Sequence, residues 1–306
     1  MRVTLIVNPR SAGGGTASRL DALERAAREV FGDSVTLAPT ERPGHASDLA
    51  AAADTDLLVS VGGDGTANEV VNGLARLERD ARPVLGVLAA GTGCDLAKTL
   101  GMPRDVRAAL ELMATTEPIQ ADWVRVGLAG GIVRRSINVA GIGLSGAVVD
   151  AVNRGSKALG GKVSFALATA RATMAWRAPV VRVAWEGPEG RGSWEGPIAT
   201  VFVANGRYCG GGMLVGPGGR IDDGIVEMTI VPQMPQLRFL RNARRLYDGT
   251  IAEVPGVVHT RVRAVRAEVP DGSRVLVDVD GEQPGDLPAE LEVEPSAVRI
   301  VSRTQG

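Results

Sequence analysis

The sequence predicts an α/β domain with a doubly wound parallel sheet, followed by a mainly antiparallel β-sandwich domain. Between residues 3 and 100, short aliphatic runs alternate with glycine-rich turns and helical stretches, which is typical of a parallel sheet. From about residue 122, strand-like runs follow one another with turn residues between them, which favours a sandwich. We place the boundary near 118–122, where Glu117-Pro118 ends a helix, and predict domains 1–121 and 122–306.

The first domain is predicted to contain four strands, each followed by a helix. Leu20, Leu23, Ala27 and Val30 recur at helical spacing after the first strand. The strands cover 3–7, 35–38, 57–61 and 83–88, and the helices cover about 20–30, 43–53, 66–77 and 95–100. Ligands of such sheets bind beyond the carboxyl ends of the strands. The three glycine loops at 8–15, 62–66 and 91–95 should therefore gather at one edge.

The second domain is predicted to be built mostly from short strands. These strands cover 122–126, 132–139, 180–185, 197–204, 224–231, 257–269 and 273–279, with a helical stretch at about 145–176. A last strand at 297–302 could pair with either domain, and the sequence does not decide between them.

The glycine turn after the third strand predicts a phosphate-binding loop. Gly62, Gly63 and Gly65 allow positive φ and carry no Cβ, so backbone amides can close around an anion. The turn matches neither the P-loop nor the dinucleotide fingerprint, which need GxxxxGK[ST] and GxGxxG. The alternative is a tight turn in which Asp64 or Thr66 only caps the next helix.

The composition of the chain argues against several classes of protein and of metal site. The net charge of −1 argues against a general nucleic-acid binder. Two cysteines, Cys94 and Cys209, give no disulfide framework, and His45 and His259 have no zinc-site spacing. We find neither a signal peptide nor an apolar run of about 20 residues, so a cytoplasmic protein is expected.

A series of motifs spread over nearly the whole chain resembles the bacterial diacylglycerol-kinase-like lipid kinases. The motifs are Gly62-Gly63-Asp64-Gly65-Thr66 with Asn68-Glu69, Gly91-Thr92-Gly93-x-Asp95, 138–143, Ala204-Asn205-Gly206 with Gly210-Gly211-Gly212, Asp222-Asp223-Gly224 and Asp280-Gly281-Glu282. The resemblance implies a nucleotide-binding α/β domain and a β-sandwich, with ATP and a lipid substrate meeting in the cleft between them.

The resemblance also assigns site residues. The expected ATP contacts are Asn8, Pro9, Arg10, Ser11, Ala12, Thr40, Gly62, Gly63, Asp64, Gly65, Thr66, Asn68, Glu69, Gly91, Thr92 and Lys98. Asp280 is the expected base that accepts the proton of the lipid hydroxyl, with Glu282 and Asp64 as further catalytic candidates. The alternative for Asp280-Gly281 is a hairpin turn, which leaves Glu282 without a role.

Magnesium is the expected metal, because the family carries a Mg²⁺ site built from hard oxygen ligands. Its ligands here would be the Asp223 carboxylate and the carbonyls of Arg220 and Ile225, with Asp122 linked through water. A catalytic Mg²⁺ on the ATP phosphates would lie nearer Asp64. The alternative for Asp222-Asp223-Gly224 is a solvated turn.

The resulting prediction is an ATP- and Mg²⁺-dependent lipid kinase of phospholipid metabolism, with diacylglycerol as the leading acceptor. An NAD kinase-like enzyme and a nucleotide- or lipid-binding regulator without turnover are the alternatives. Two positions depart from the family pattern, Cys94 in place of asparagine and Ser145 in place of aspartate, and the first loop lacks the lysine that some relatives carry. Arginines 238, 241 and 245 form a helical stripe that suggests transient contact with an anionic membrane surface, and a homodimer is left open.

Overall fold

A computed structural model describes residues 1–11, 15–90, 94–154, 169 and 171–303. The chain forms two compact units. The first unit contains Met1–Asp122 and Pro295–Gly306, and the second contains Trp123–Glu294.

The first unit is an α/β fold around a parallel sheet. Its strands are β1 (Val3–Val7), β2 (Val35–Pro39), β3 (Leu57–Gly62) and β4 (Val84–Ala89), and its helices are α1 (Leu20–Phe31), α2 (His45–Ala52), α3 (Asp64–Leu74), α4 (Asp95–Thr99) and α5 (Val106–Thr115). All six residues of β3 are buried, as expected for a central strand of a sheet covered on both faces. Helix α1 packs against α5, and α2 packs against α3.

The strand order of this sheet is β2-β1-β3-β4. The chain moves outward from β1 to β2 and then returns to the other side of β1, so the order reverses between β1 and β3. Ligands of open α/β sheets bind at this switch point, outside the carboxyl ends of the strands. Val7, at the end of β1, pairs with Val61 near the end of β3.

The second unit is mostly antiparallel. Its strands and helices, with two strands shared across the unit boundary, are β5 (Ile119–Leu128), β6 (Val133–Ser136), β7 (Val139–Gly143), α6 (Leu144–Arg154), β8 (Val180–Gly187), β9 (Gly190–Ala204), β10 (Tyr208–Cys209), β11 (Met213–Leu214), β12 (Val226–Pro232), α7 (Gln236–Asn242), α8 (Arg245–Asp248), β13 (Val258–Val262), β14 (Ala264–Glu268), β15 (Leu276–Val279), β16 (Glu282–Asp286) and β17 (Ala289–Ile300).

The long strand β9 joins the two sheets of this unit. Its first half pairs with β8, and its second half pairs with β7 and β12. The core contains inward-facing aliphatic residues of both sheets, such as Val183 of β8 and Val203 of β9. The predicted sandwich-like architecture is therefore confirmed. The last strand, which the sequence left undecided, reaches the first unit, where Ile300 pairs in parallel with Leu85 of β4.

Several predicted elements differ from the observed ones, and strand β9 begins at Gly190 instead of residue 197. Helix α3 begins at Asp64, two residues earlier than predicted, so Gly65 lies in its first turn. The predicted strand 132–139 is two strands, because the amides of residues 137–139 bond a side chain instead of a neighbouring strand. The predicted strand 257–269 is also two strands, β13 paired with β12 and β14 paired with β8 and β17. Residues 155–168 of the predicted helical stretch lie outside the described residues.

Candidate functional site

The loops that follow β1, β2 and β3 meet at one edge of the parallel sheet. The amide of Asn8 donates to the carbonyl of Val61 at 3.0 Å, and the amide of Thr40 donates to the carbonyl of Val7 at 2.8 Å. The amide of Ala90, after β4, donates to the carbonyl of Gly62 at 3.0 Å. These bonds continue the sheet ladder one residue beyond β1, β2 and β4, so the first residue of each of these loops lies beside the end of a neighbouring strand.

The turn after β3 is held by a contact between two of the predicted residues. Asn8 Nδ2 donates to Thr66 Oγ1 at 3.1 Å, and Asn8 Oδ1 accepts from the amide of Arg10 at 3.0 Å. A Cβ at Gly62 would collide with the Thr66 side chain, because it would lie 2.7 Å from Thr66 Cβ. Gly62 is therefore required for the close approach of strand and helix.

The glycines of this turn do not use positive φ. Gly63 has an extended backbone with φ −98° and ψ −173°, and Gly65 lies within a helix. The positive φ that glycine allows is therefore not adopted at these positions. What the turn offers instead is the start of an 11-residue helix with no side-chain cap. The first amides of a helix have no partner within the helix and favour anions.

Asp64 points its carboxylate at the start of another helix. Its Oδ2 accepts from the amide of Asp95 at 3.1 Å and its Oδ1 accepts from the amide of Leu96 at 3.0 Å. The carboxylate therefore caps α4 rather than α3. Cys94, just before α4, also contacts the turn, because its Sγ lies 3.3 Å from the carbonyl oxygen of Gly62.

Glu69 caps a third helix. Its two carboxylate oxygens accept from the amides of Gly44 at 2.9 Å and Ala46 at 3.1 Å, at the start of α2. Asn68 is buried and its Oδ1 accepts from Asn72 Nδ2 at 3.2 Å. The polar residues that follow the glycines thus tie neighbouring helices together, while their expected contact with ATP stays a prediction.

The remaining expected ATP contacts are half-buried, exposed or outside the described residues. Ser11 Oγ lies 2.6 Å from Thr16 Oγ1, which closes the first loop on itself. Arg10 is exposed, and Lys98 is exposed on α4. Ala12, Gly91 and Thr92 lie outside the described residues.

Asp280 lies in the second unit and is held by four hydrogen bonds. Its Oδ1 accepts from Ser136 Oγ at 2.6 Å and from the amides of Asn138 at 3.1 Å and Val139 at 2.9 Å. Its Oδ2 accepts from the amide of Ile137 at 2.9 Å. The residue is buried and has a positive φ of 51°. This carboxylate anchors the turn after β15 to the segment between β6 and β7.

A second carboxylate of the same turn was missed by the sequence reasoning. Asp278 lies on β15 opposite Gly141 of β7, and its Oδ1 accepts from the amide of Gly281 at 2.8 Å. Part of its side chain reaches solvent, yet burial of the carboxyl group and the nearby charges of Asp280 and Glu282 raise its pKa to about 8. Glu282 itself is exposed.

The expected magnesium ligands lie in the second unit, where Asp223 already contacts two other residues. Asp223 Oδ1 accepts from the amide of Ile225 at 3.1 Å, and Asp223 Oδ2 pairs with the guanidinium of Arg261 at 2.8 Å. The charge that Mg²⁺ would neutralise is thus already paired with an arginine. Within the described ranges, no group of three or more His, Cys, Asp or Glu could hold a metal ion. The expected ligands include two backbone carbonyls, so the metal assignment to Arg220, Asp223 and Ile225 stays a prediction.

Asp122, the expected water-linked partner of that metal, lies in the first unit. Its Oδ1 accepts from the amide of Ser296 at 2.7 Å, which ties β5 to the returning C-terminal segment.

No helix in the described part of the chain is long and apolar enough to cross a membrane.

Two known protein families match the chain. The diacylglycerol kinase catalytic domain matches residues 2–126, and the YegS C-terminal NAD kinase beta sandwich-like domain matches residues 138–302, more than half of the chain. These matches cover both the β3–α3 turn and the turn that contains Asp278 and Asp280.

Individual relatives match along nearly the full length. The diacylglycerol kinase of Bacillus subtilis is 29% identical, over 95% of this chain and 92% of the relative. A diacylglycerol kinase of Mycobacterium tuberculosis is 26% identical, over 100% of this chain and 96% of the relative. A crystal structure from Bacillus anthracis, described as a candidate diacylglycerol kinase, superposes with a TM-score of 0.79 at 27% identity and covers 99% of this chain and 95% of that one.

Proposed function

Because the chain belongs to the diacylglycerol-kinase-like lipid kinase family, we propose that it transfers the γ-phosphoryl group of ATP to a lipid hydroxyl, with diacylglycerol as the leading acceptor. Family membership makes the chain a lipid kinase. The identity of the lipid and the use of ATP with Mg²⁺ are the proposed part. Magnesium is proposed to enter as part of the MgATP substrate.

The observation that carries the proposal is the turn after β3. It lies at the switch point of the sheet, where a nucleotide is expected to bind. The Asn8–Thr66 hydrogen bond and the bare Gly62 fix the start of α3 beside the first loop. Phosphoryl transfer needs mainly positioning and stabilisation of charge, and helix-start amides supply both for a phosphate group.

The test is phosphoryl transfer from radiolabelled ATP to diacylglycerol, to a total lipid extract and to NAD, in parallel. We expect labelled phospholipid from diacylglycerol and no labelled NADP. Gly62→Val should abolish transfer and weaken ATP binding, because any Cβ at 62 collides with Thr66. Labelled NADP would favour an NAD kinase, and ATP binding without transfer to any lipid would favour a regulator.

We also propose that the exposed face of α7 and α8 meets an anionic membrane while the enzyme takes up its lipid. Leu237 is 72% exposed and Tyr247 is 56% exposed, and the exposed Arg238 and Arg241 lie on the same short helix as Leu237. Apolar side chains flanked by arginines suit a bilayer surface that carries negative charge.

Two double charge-reversal variants test this membrane contact, one on α7 and one at exposed arginines elsewhere. Arg238→Glu with Arg241→Glu should weaken cosedimentation with phosphatidylglycerol vesicles. Arg19→Glu with Arg104→Glu, at exposed positions elsewhere, changes the net charge equally and should leave binding closer to that of the unaltered protein. Equal loss in both variants would show a general charge effect and remove this proposal.

A further inference from the structure

Ser136 is a buried residue that lies outside the motifs of the sequence. It is the last residue of β6, where it pairs with Val124 of β5, and its side chain is buried. Its Oγ donates to Asp280 Oδ1 at 2.6 Å. A hydroxyl that donates to an ionised carboxylate typically lies about 2.5–2.7 Å from the accepting oxygen. The contact therefore has the length of a charge-assisted hydrogen bond.

The three residues that follow Ser136 bind the same carboxylate through their backbone. The amide of Ile137 donates to Asp280 Oδ2 at 2.9 Å. The amides of Asn138 and Val139 donate to Oδ1 at 3.1 and 2.9 Å. Ser136 thus supplies the side-chain hydroxyl among these four contacts, and a substitution can remove that one donor while the three amides stay.

The segment that carries these amides is itself fixed to the end of β9. Asn205 Nδ2 donates to the carbonyl of Ile137 at 2.8 Å. The amides of Asn205 and Gly206 donate to the carbonyl of Asn138 at 2.9 and 2.8 Å. Because these bonds hold the backbone from the other side, we expect the segment to keep its conformation when the Ser136 hydroxyl is removed.

Two opposing effects act on the charge of the Asp280 carboxylate. Burial favours the protonated form of a carboxyl group, whereas hydrogen bonds donated to its oxygens favour the ionised form. The charged and titratable residues on the surrounding elements are Asp278 on β15, Glu282 and Asp286 on β16, Asp286 being paired with Arg274, Asp150 on α6, Arg207 and Tyr208 at β10, and Arg134 and Arg135 on β6, the latter paired with Glu294. In this setting the Ser136 hydroxyl stabilises the ionised carboxylate.

We propose that Ser136 is a positioning residue of this kinase, which orients the Asp280 carboxylate and keeps it ionised, so that Asp280 can accept the proton of the lipid hydroxyl. The inference rests on the proposed function and on the expected role of Asp280 as the base. The Ser136 hydroxyl acts through Asp280 and needs no contact with either substrate.

The first experiment compares Ser136→Ala and Ser136→Cys with the unaltered protein in the diacylglycerol assay over a range of pH. Without the hydroxyl the carboxylate is protonated more easily, so the decline of kcat towards acid pH should move to higher pH by about 1–2 units in Ser136→Ala. A thiol is a weak donor, so Ser136→Cys should give a smaller shift. The KM for ATP should not change. Ser60→Ala is the matched control, because Ser60 is buried in β3 and its Oγ has no hydrogen-bond partner among the described residues.

The second experiment follows the ionisation of Asp280 without any kinase activity. The carbon-13 resonance of its side-chain carboxyl group, assigned by its loss in Asp280→Asn, changes when the group titrates. Its midpoint should rise by about 1–2 pH units in Ser136→Ala and stay unchanged in Ser60→Ala. Urea denaturation checks that the variants are folded over the pH range. A role of Ser136 in packing alone would lower stability and leave the midpoint where it is.

The outcomes separate this inference from the proposed function. If the unaltered protein phosphorylates diacylglycerol and Ser136→Ala shows the same acid limb and the same midpoint, only this inference falls. If Asp280→Asn keeps full kcat, Asp280 is not the base, and the inference falls while the proposed function stands. If the unaltered protein phosphorylates no lipid, both fail. A shift of the acid limb together with the midpoint, smaller in Ser136→Cys and absent in Ser60→Ala, is the supporting result.

Discussion

The turn after β3 and the turn after β15 are both acidic and glycine-containing, yet each uses its motif aspartate for structure. Asp64 caps α4 through two amides, and Asp280 holds the residues between β6 and β7 through three amides and a hydroxyl. The two turns differ in what lies beside that aspartate: the start of α3 without a side-chain cap in the first turn, and the Asp278 carboxylate, with a raised pKa, in the second. A carboxylate in a motif can therefore hold the local structure through its hydrogen bonds, while its catalytic role stays a prediction.

The largest expected effect comes from removing the Asp280 carboxylate. Asp280→Ala leaves three buried amides without an acceptor and places alanine at a positive φ, so we expect unfolding free energy to fall by at least about 3 kcal/mol. Urea denaturation measures it. The matched control is Asp271→Ala, because Asp271 is exposed in a turn and accepts from the amide of Ser273. Similar stability of both variants would contradict the anchoring role.

Asp278, the second carboxylate in this region, should make the free energy of unfolding depend on pH. The pKa of Asp278 is raised to about 8 by burial, so the folded state binds a proton that the unfolded state has released above about pH 4. Stability should therefore fall as pH rises between about 4 and 8. Asp278→Asn removes this dependence, and we expect it to be more stable than the unaltered protein by roughly 2 kcal/mol above pH 8, discounted for partial exposure.

Urea denaturation at pH 5 and pH 9 checks this prediction. The difference in unfolding free energy between Asp278→Asn and the unaltered protein should be larger at pH 9 than at pH 5. A constant difference would mean that the Asp278 carboxyl group titrates like one in water.

The architecture, and the meeting of loops at one edge of the parallel sheet, could be read from the sequence, because strand periodicity and glycine turns are local signals. The roles of the acidic residues could not be read in this way. Asp280 bonds Ser136, 144 residues away in sequence, and Glu69 bonds Gly44. Asp278 lies between Val277 and Val279 in a regular strand pattern, so the sequence gives it no special role. It lies opposite Gly141 only because β15 pairs with β7. The departure at Ser145 was the one sequence signal pointing to this region.

A substitution at Glu69 tests whether this residue stabilises the fold or contacts ATP. Glu69→Ala removes the acceptor for two amides at the start of α2, so we expect a loss of about 1–2 kcal/mol in unfolding free energy. The dissociation constant of ATP, measured by calorimetry, should change less than threefold. Glu78→Ala, at an exposed position beyond α3, is the control for both measurements. A large loss of ATP affinity with unchanged stability would place Glu69 at the nucleotide instead.

The smallest expected effect concerns the pairing of Asp223 with Arg261. This salt bridge has an exposed arginine, so Arg261→Gln should cost under about 1 kcal/mol. Its consequence for metal binding should be clearer, because the variant leaves Asp223 without its cation. Without nucleotide, we expect Mg²⁺ to leave the Tm of the unaltered protein unchanged and to raise the Tm of Arg261→Gln, since a freed carboxylate attracts a hard cation. A Tm that rises with Mg²⁺ equally in both proteins would show that Arg261 does not take the place of a metal ion.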